Sequence, residues 1–235
     1  MKKLSHARPI IMLRSAITTI TTLTSFWWAK LWGKADRNRT DQIIHHWAKK
    51  ILKVVDVELT VEGDKPQYIK RQPYMIMSNH ASLYDIPIIL ASLPGSIRMI
   101  AKRELSYIPY FGTSLKHSEF IFIDRKNRLK AIEDLKIAKR NMLNGIVVWA
   151  APEGTRSRNG VLGPFKKGIF KLAQEIDAII IPVVIIGSRQ LLPAKTWQFH
   201  PGQHIIVRIG APIYASSAAE PILIHNVRLA MVEML

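Results

Sequence analysis

Residues 74–92 read YMIMSNHASLYDIPIILAS, and the fold follows from how that stretch divides. Residues 74–77 form a short apolar run closed by Ser78 and Asn79, as in a buried strand. Residues 85–92 form an apolar helical segment, and Ser82 stands where a helix cap belongs. Strand, turn and helix therefore follow one another within nineteen residues. The same alternation continues outward in both directions. Residues 57–61, 97–101, 120–123, 146–149, 179–186 and 205–209 read as further strands, while 127–144, 166–175 and 220–235 read as helices. Strands alternating with helices predict an α/β domain, a mixed and largely parallel sheet flanked by helices, over residues 57–235.

The chain has 235 residues, 34 Lys plus Arg against 17 Asp plus Glu, 48% hydrophobic residues and no Cys. This length buries a sizeable core without disulfides. The absence of Cys excludes a thiolate nucleophile, Cys-ligated zinc and iron–sulfur clusters. A formal charge of +17 favours partners that carry phosphate or carboxylate, whether nucleic acid, anionic lipid, coenzyme A or an acidic carrier protein. Residues 1–56 hold eleven of the basic residues against three acidic ones. Within that segment Leu13, Ile17, Ile20, Leu23, Trp27 and Leu31 recur at steps of three and four, and Trp27, Trp28, Trp32, Lys30 and Lys34 mark the end of the run. Indoles beside lysines suit headgroup depth. A second stripe of Ile43, Ile44, Trp47, Ile51 and Val55 follows, with Thr40 as candidate N-cap. The charge-free stretch, residues 15–29, is shorter than the roughly 20 residues a spanning helix needs. Residues 1–56 are therefore expected to form an amphipathic two-helix segment on a membrane surface, the alternative being two helices packed as ordinary core.

Chemistry concentrates where strands end. His80 and Asp85 stand five apart; on one continuous helix they would be about 140° apart, so they meet only if His80 precedes the helix that carries Asp85. An imidazole whose tautomer is fixed by a carboxylate is a general base near neutral pH. A His and an Asp at this spacing also suit a surface loop with a capping carboxylate. Glu153, Gly154, Thr155, Arg156 and Ser157 follow the 146–149 strand, a loop position that holds ligands in α/β sheets; a tight turn with a solvated Arg is the plain alternative. Lys102, Arg103 and Glu104 follow the 97–101 strand, and Asp124, Arg125 and Lys126 follow 120–123. His200 and His204 have no third ligand nearby and read as a polar turn, no metal site is expected, and no Gly-rich nucleotide loop is present.

These residues resemble the glycerolipid acyltransferases typified by 1-acylglycerol-3-phosphate acyltransferase. The Asn-His-x4-Asp motif of that family is matched by Asn79, His80 and Asp85. Its second block is matched by Lys102, Glu104, Leu105, Ile108, Pro109, Phe111 and Gly112. Residues 122–125 match Phe-Ile-Asp-Arg, residues 152–157 match Pro-Glu-Gly-Thr-Arg-Ser, and Ile181, Pro182 and Val183 match the last motif. The resemblance covers residues 74–187. Ala151 departs from it, since an aromatic commonly precedes the Pro-Glu-Gly-Thr segment.

The resemblance implies transfer of a fatty acyl group from a thioester to the sn-2 hydroxyl of lysophosphatidate, giving phosphatidate. In it His80 is general base, Asp85 orients the ring, and no acyl-enzyme forms. Arg125, Arg156 and Glu153 with Gly154 and Thr155 would bind the glycerol phosphate, and Lys102 would sit near the phosphate or the developing oxyanion. It implies no cofactor; acyl-CoA or an acyl carrier protein is the co-substrate, a lysophospholipid the acceptor, and the cytoplasmic face of a membrane the location. The same chemistry on another lysophospholipid or on glycerol 3-phosphate is the near alternative. A basic nucleic-acid-binding protein is the remote one; no recognisable signature of that class is present, and no nucleic-acid partner is expected.

Overall fold

The structure, a computed structural model, describes residues 7–123 and 128–235, with the side chains of all of these except 7, 102, 123 and 128–132. Eight strands build the sheet: β1 (Glu58–Glu62), β2 (Tyr74–Ser78), β3 (Ser96–Lys102), β4 (Ile121–Ile123), β5 (Ile146–Ala150), β6 (Ile179–Ile186), β7 (His204–Ile209) and β8 (Ile213–Tyr214). Their order is β1-β7-β6-β2-β5-β3-β4, with β8 also on β6. Five pairings are parallel; only β6–β7 and β6–β8 are antiparallel. The expected mixed, largely parallel sheet is therefore present.

Period-two alternation sends each strand's side chains to two cores. Tyr74 and Ile76 of β2 join Trp149, Ile181 and Val183 on one face, beneath α2 (Arg37–Val54) and α3 (Asp85–Ser92). Met75 and Met77 join Val148, Ile180 and Val184 on the other, beneath α5 (Arg128–Leu143), α6 (Lys167–Glu175) and α8 (Glu220–Glu233). Because helices cover both faces, β2 and β5 are buried at every position, which is why they read as continuous apolar runs rather than alternating ones. Pro182 lacks an N–H yet sits in the middle of β6. It falls between the end of the β7 pairing at Val183 and the start of the β8 pairing at Ile180, where no ladder donor is required.

β2 to β6 all run the same way, so their carboxyl ends, at Ser78, Lys102, Ile123, Ala150 and Ile186, share one edge of the sheet. The site is built there.

The N-terminal helices divide in their packing. α2 buries Ala48, Ile51 and Leu52, and Val55 just after it, in the same core as α3 and the sheet, so residues 1–56 and 57–235 share one core at α2. α1 (Ala7–Leu31) adds Ile11 to that core, and Trp47 of α2 donates to the Thr19 hydroxyl at 3.2 Å. The α2 cap differs from expectation. Asp36 is the N-cap, accepting from the Arg39 amide at 2.7 Å, whereas the buried Thr40 hydroxyl donates to the Asp36 carbonyl one turn inside the helix. The sequence reading also passed over β8, α4 (Phe111–His117) and α7 (Ser188–Leu191), all too short to show a period.

Candidate active site

The geometry starts at the end of β2. Asn79 is held like one more strand residue: its side-chain amide donates to the Ile185 carbonyl at 2.9 Å and its oxygen accepts from the Ile185 amide at 2.8 Å. The chain then turns, and Asp85, fully buried as the first residue of α3, points back at it. One Asp85 oxygen, Oδ2, accepts from His80 Nδ1 at 2.7 Å, from the Ala81 amide at 2.7 Å and from the Ser82 amide at 2.8 Å. Two of those donors are backbone N–H groups, so this oxygen is an acceptor and the imidazole proton must sit on Nδ1. In the neutral ring Nε2 then keeps its lone pair, the arrangement of a general base. Ser82 does not cap α3 as expected; its hydroxyl accepts from the Tyr84 amide at 3.2 Å in the turn itself.

The imidazole stays partly open, its side chain 18% exposed. It stands edge-on to Trp149 of β5, with centroids 5.9 Å apart, and the indole is fixed by donating to the Ser78 hydroxyl at 2.9 Å. Sequence reasoning missed this wall; the one signal was a Trp within an otherwise aliphatic strand.

The loop after β5 is tied to the same turn. The Ser157 amide donates to the His80 carbonyl at 2.7 Å, which brings Arg156 beside the imidazole's own backbone. Gly154 turns the loop with φ 73°, a left-handed conformation that suits glycine. Thr155 is exposed and Arg156 half-buried. Glu153 is only 5% exposed, and its two oxygens accept from the His80 amide at 3.0 Å and the Gly163 amide at 2.8 Å. A carboxylate occupied in this way braces two loops against each other. The structure thus brings together His80, Asp85, Glu153, Gly154, Thr155 and Arg156. Lys102 ends β3 on the same edge, its side chain outside the described residues, and Arg125 lies outside them altogether. His204 sits apart, its ring paired with the Thr60 hydroxyl at 2.8 Å.

Residues 58–186 match the family model for acyltransferases, a stretch that includes every one of these site residues. The chain belongs to the acyltransferase family. Among its relatives, the 1-acyl-sn-glycerol-3-phosphate acyltransferase of Saccharomyces cerevisiae is 35% identical over 167 residues, 70% of this chain and 54% of that protein. The human 1-acyl-sn-glycerol-3-phosphate acyltransferase alpha is 37% identical over 143 residues, 60% of this chain and 50% of that one. The chain therefore spans about half the length of the curated relatives it matches. A solved structure, the 1-acyl-sn-glycerophosphate acyltransferase PlsC from Thermotoga maritima, superposes with a TM-score of 0.71 at 25% identity, covering 93% of this chain and 95% of that one.

Proposed function

We propose that the protein transfers a fatty acyl group from a thioester to the sn-2 hydroxyl of 1-acyl-glycerol-3-phosphate, giving phosphatidate. The observation that carries this reading is the 2.7 Å bond between His80 Nδ1 and the buried Asp85, in a family whose relatives bear that activity in their names. His80 Nε2 takes the proton of the acceptor hydroxyl as its oxygen forms a bond to the thioester carbonyl carbon. Asp85 stabilises the imidazolium that results. The tetrahedral adduct then collapses, the carbon–sulfur bond breaks, and the departing thiolate recovers the proton from the imidazolium. The substrate hydroxyl plays the part of a serine nucleophile, so no acyl-enzyme is required.

Arg156, with Arg125, holds the acceptor phosphate in this reading, with Gly154 and Thr155 shaping the loop around it; paired charge-assisted bonds fix both position and orientation. Lys102 serves the phosphate or the oxyanion. Glu153 acts on the substrate only through the loops it braces. Membrane association is part of the proposal. α1 is long and apolar enough to cross a bilayer, and 11% of that window is buried inside the molecule. Its apolar stripe faces outward: Leu13, Ile17, Ile20, Trp28 and Leu31 are exposed by 51 to 79%, which a helix of the ordinary core would not show. The hydroxyls of Thr18, Thr19, Thr21, Thr22, Thr24 and Ser25 all donate to carbonyls of their own helix, so α1 presents few unmet donors to an apolar medium. Arg14 at its outer surface favours a helix lying along the membrane rather than crossing it, and the supply of the thioester donor from water places that surface on the cytoplasmic face in this reading.

The test is an acceptor panel in detergent micelles, with thiol release from palmitoyl-coenzyme A as readout. Lysophosphatidate should be the best acceptor, and phosphatidate should appear in step with thiol. Faster transfer to glycerol 3-phosphate or lysophosphatidylcholine would reassign the acceptor, and thiol release without any acceptor would make the protein a hydrolase.

A further inference from the structure

The catalytic turn has a second side. In the sheet β2 lies between β5 and β6, and the His80 ring leans toward β5 and its Trp149. On the β6 side a cavity of about 280 Å³ opens, with Asn79 and Ala81, the chain neighbours of His80, in its wall. The segment that leaves β6, Gly187 to Gln190, and the turn Asn159 to Val161 also line it. Among the described residues no acidic side chain lines it; Arg189, Asn159, Gln190 and Ser188 supply its polar side chains, and Leu235 also borders it.

Two of these side chains keep polar atoms without a partner among the described residues. Ser188 is 1% exposed, yet its hydroxyl makes no hydrogen bond in the structure, and a buried hydroxyl left this way is costly unless something else meets it. Arg189 donates through Nε to the Arg158 carbonyl at 3.0 Å, which fixes the guanidinium plane, while its terminal nitrogens carry no bond among the described residues. Gly160 makes room for it, since a Cβ there would stand 3.1 Å from Arg189 Cδ. The volume is near the lower end of ligand sites, about 300 Å³, so it suits an extended arm and is too small for a whole nucleotide.

We propose that this cavity holds the phosphopantetheine arm of the acyl donor, with Arg189 on its phosphate and Ser188, Asn159 and Gln190 on its amides. The inference rests on the acyl-transfer reading above. Two substrates must reach one imidazole from different directions, and Lys102, at the end of β3, lies beyond β5 on the far side of His80. That leaves the β6 side for the donor. Its polar chemistry matches an arm carrying two amides and a phosphate, a charge-assisted pair for Arg. Ser188 and Arg189 both lie outside the 58–186 stretch of the family match.

The test is equilibrium binding of coenzyme A to the full chain in detergent micelles, wild type against Arg189→Ala, paired with donor kinetics. Arg189 is exposed, so its truncation should leave folding intact. The variant should bind coenzyme A roughly tenfold more weakly, the factor expected for one charge-assisted bond. Its KM for palmitoyl-coenzyme A should rise by the same factor, while the KM for lysophosphatidate and the rate with palmitoyl-N-acetylcysteamine, which lacks the phosphate, should not move. A palmitoyl carrier protein should lose as much as coenzyme A, because both present the same arm; a loss confined to coenzyme A would place Arg189 on the nucleotide and overturn the proposal. Unchanged coenzyme A binding, or a change that falls on lysophosphatidate, would also overturn it. A wild type that binds coenzyme A through Arg189 but acylates no lysophosphatidate would sink the acyl-transfer reading and leave the cavity assignment standing.

Discussion

Asp85 carries three N–H donors on one oxygen while fully buried, so replacing it tests orientation and charge together. Asp85→Asn removes the anion that stabilises an imidazolium and should lower kcat by roughly 100-fold or more, within the range for general acid–base catalysis; steady-state thiol release is the check, and a near-normal rate would return Asp85 to a turn cap. Glu153 belongs to a different class. In Glu153→Gln one carboxylate oxygen becomes an NH₂ that faces a backbone N–H, so the His80 or the Gly163 contact is lost. Because that contact positions the turn and binds no substrate, kcat should fall at least about tenfold with the lysophosphatidate KM unchanged, one bond to a charged group being worth about 1.5–3 kcal/mol. A rise in that KM alone would make Glu153 a phosphate-site residue. The His80 and Asp85 spacing was legible in the sequence because the pair is local. The Glu153 brace was not, because its partner lies 73 residues away and no short-range pattern encodes such a contact.

Among the elements, the strands were readable to within a residue or two because burial on both faces leaves uninterrupted apolar runs in β2, β5 and β6. Elements of two to seven residues, β8, α4 and α7, hold less than two helical turns or one pleat, so periodicity could not report them. The ion pairs that help attach α2 were likewise invisible, since they join residues far apart in the sequence. Arg37 grips Glu119 after α4 through two bonds of 2.7 and 2.5 Å, and that hydrogen bonding pushes the guanidinium pKa up against the opposing effect of its burial. Arg98 of β3 is 1% exposed and pairs with Asp41 of α2 at 2.7 Å, while Ser96 donates to the same carboxylate at 2.5 Å. Removing the fully buried Arg98 leaves the Asp41 carboxylate, 23% exposed, with the Ser96 hydroxyl as its donor. Arg98→Met should therefore destabilise the fold by about 3 kcal/mol and lower Tm by about 6–12 °C, as followed by thermal unfolding in detergent. An unshifted Tm would show that α2 is held by apolar contacts alone.

At the scale of the molecule, one edge of the sheet carries the chemistry and one helix carries an uncovered apolar face. The outward stripe on α1 was legible as periodicity, but whether it faced core or solvent was not, because a 3.6-residue period fits both. Replacing Trp28 and Trp32, exposed by 66% and 62%, with Ala should weaken partitioning onto phosphatidylglycerol vesicles by roughly thirtyfold or more, given about 1.5–3 kcal/mol for each large apolar side chain buried. Sedimentation with vesicles measures it, and undiminished binding would remove α1 from the interface. The central measurement remains at the imidazole: kcat for phosphatidate formation from lysophosphatidate and palmitoyl-coenzyme A, in wild type and in His80→Ala, with matched circular dichroism. A fall of roughly 100- to 10,000-fold is the predicted result. A folded variant that turns over at the wild-type rate would contradict a mechanism in which His80 takes the acceptor's proton.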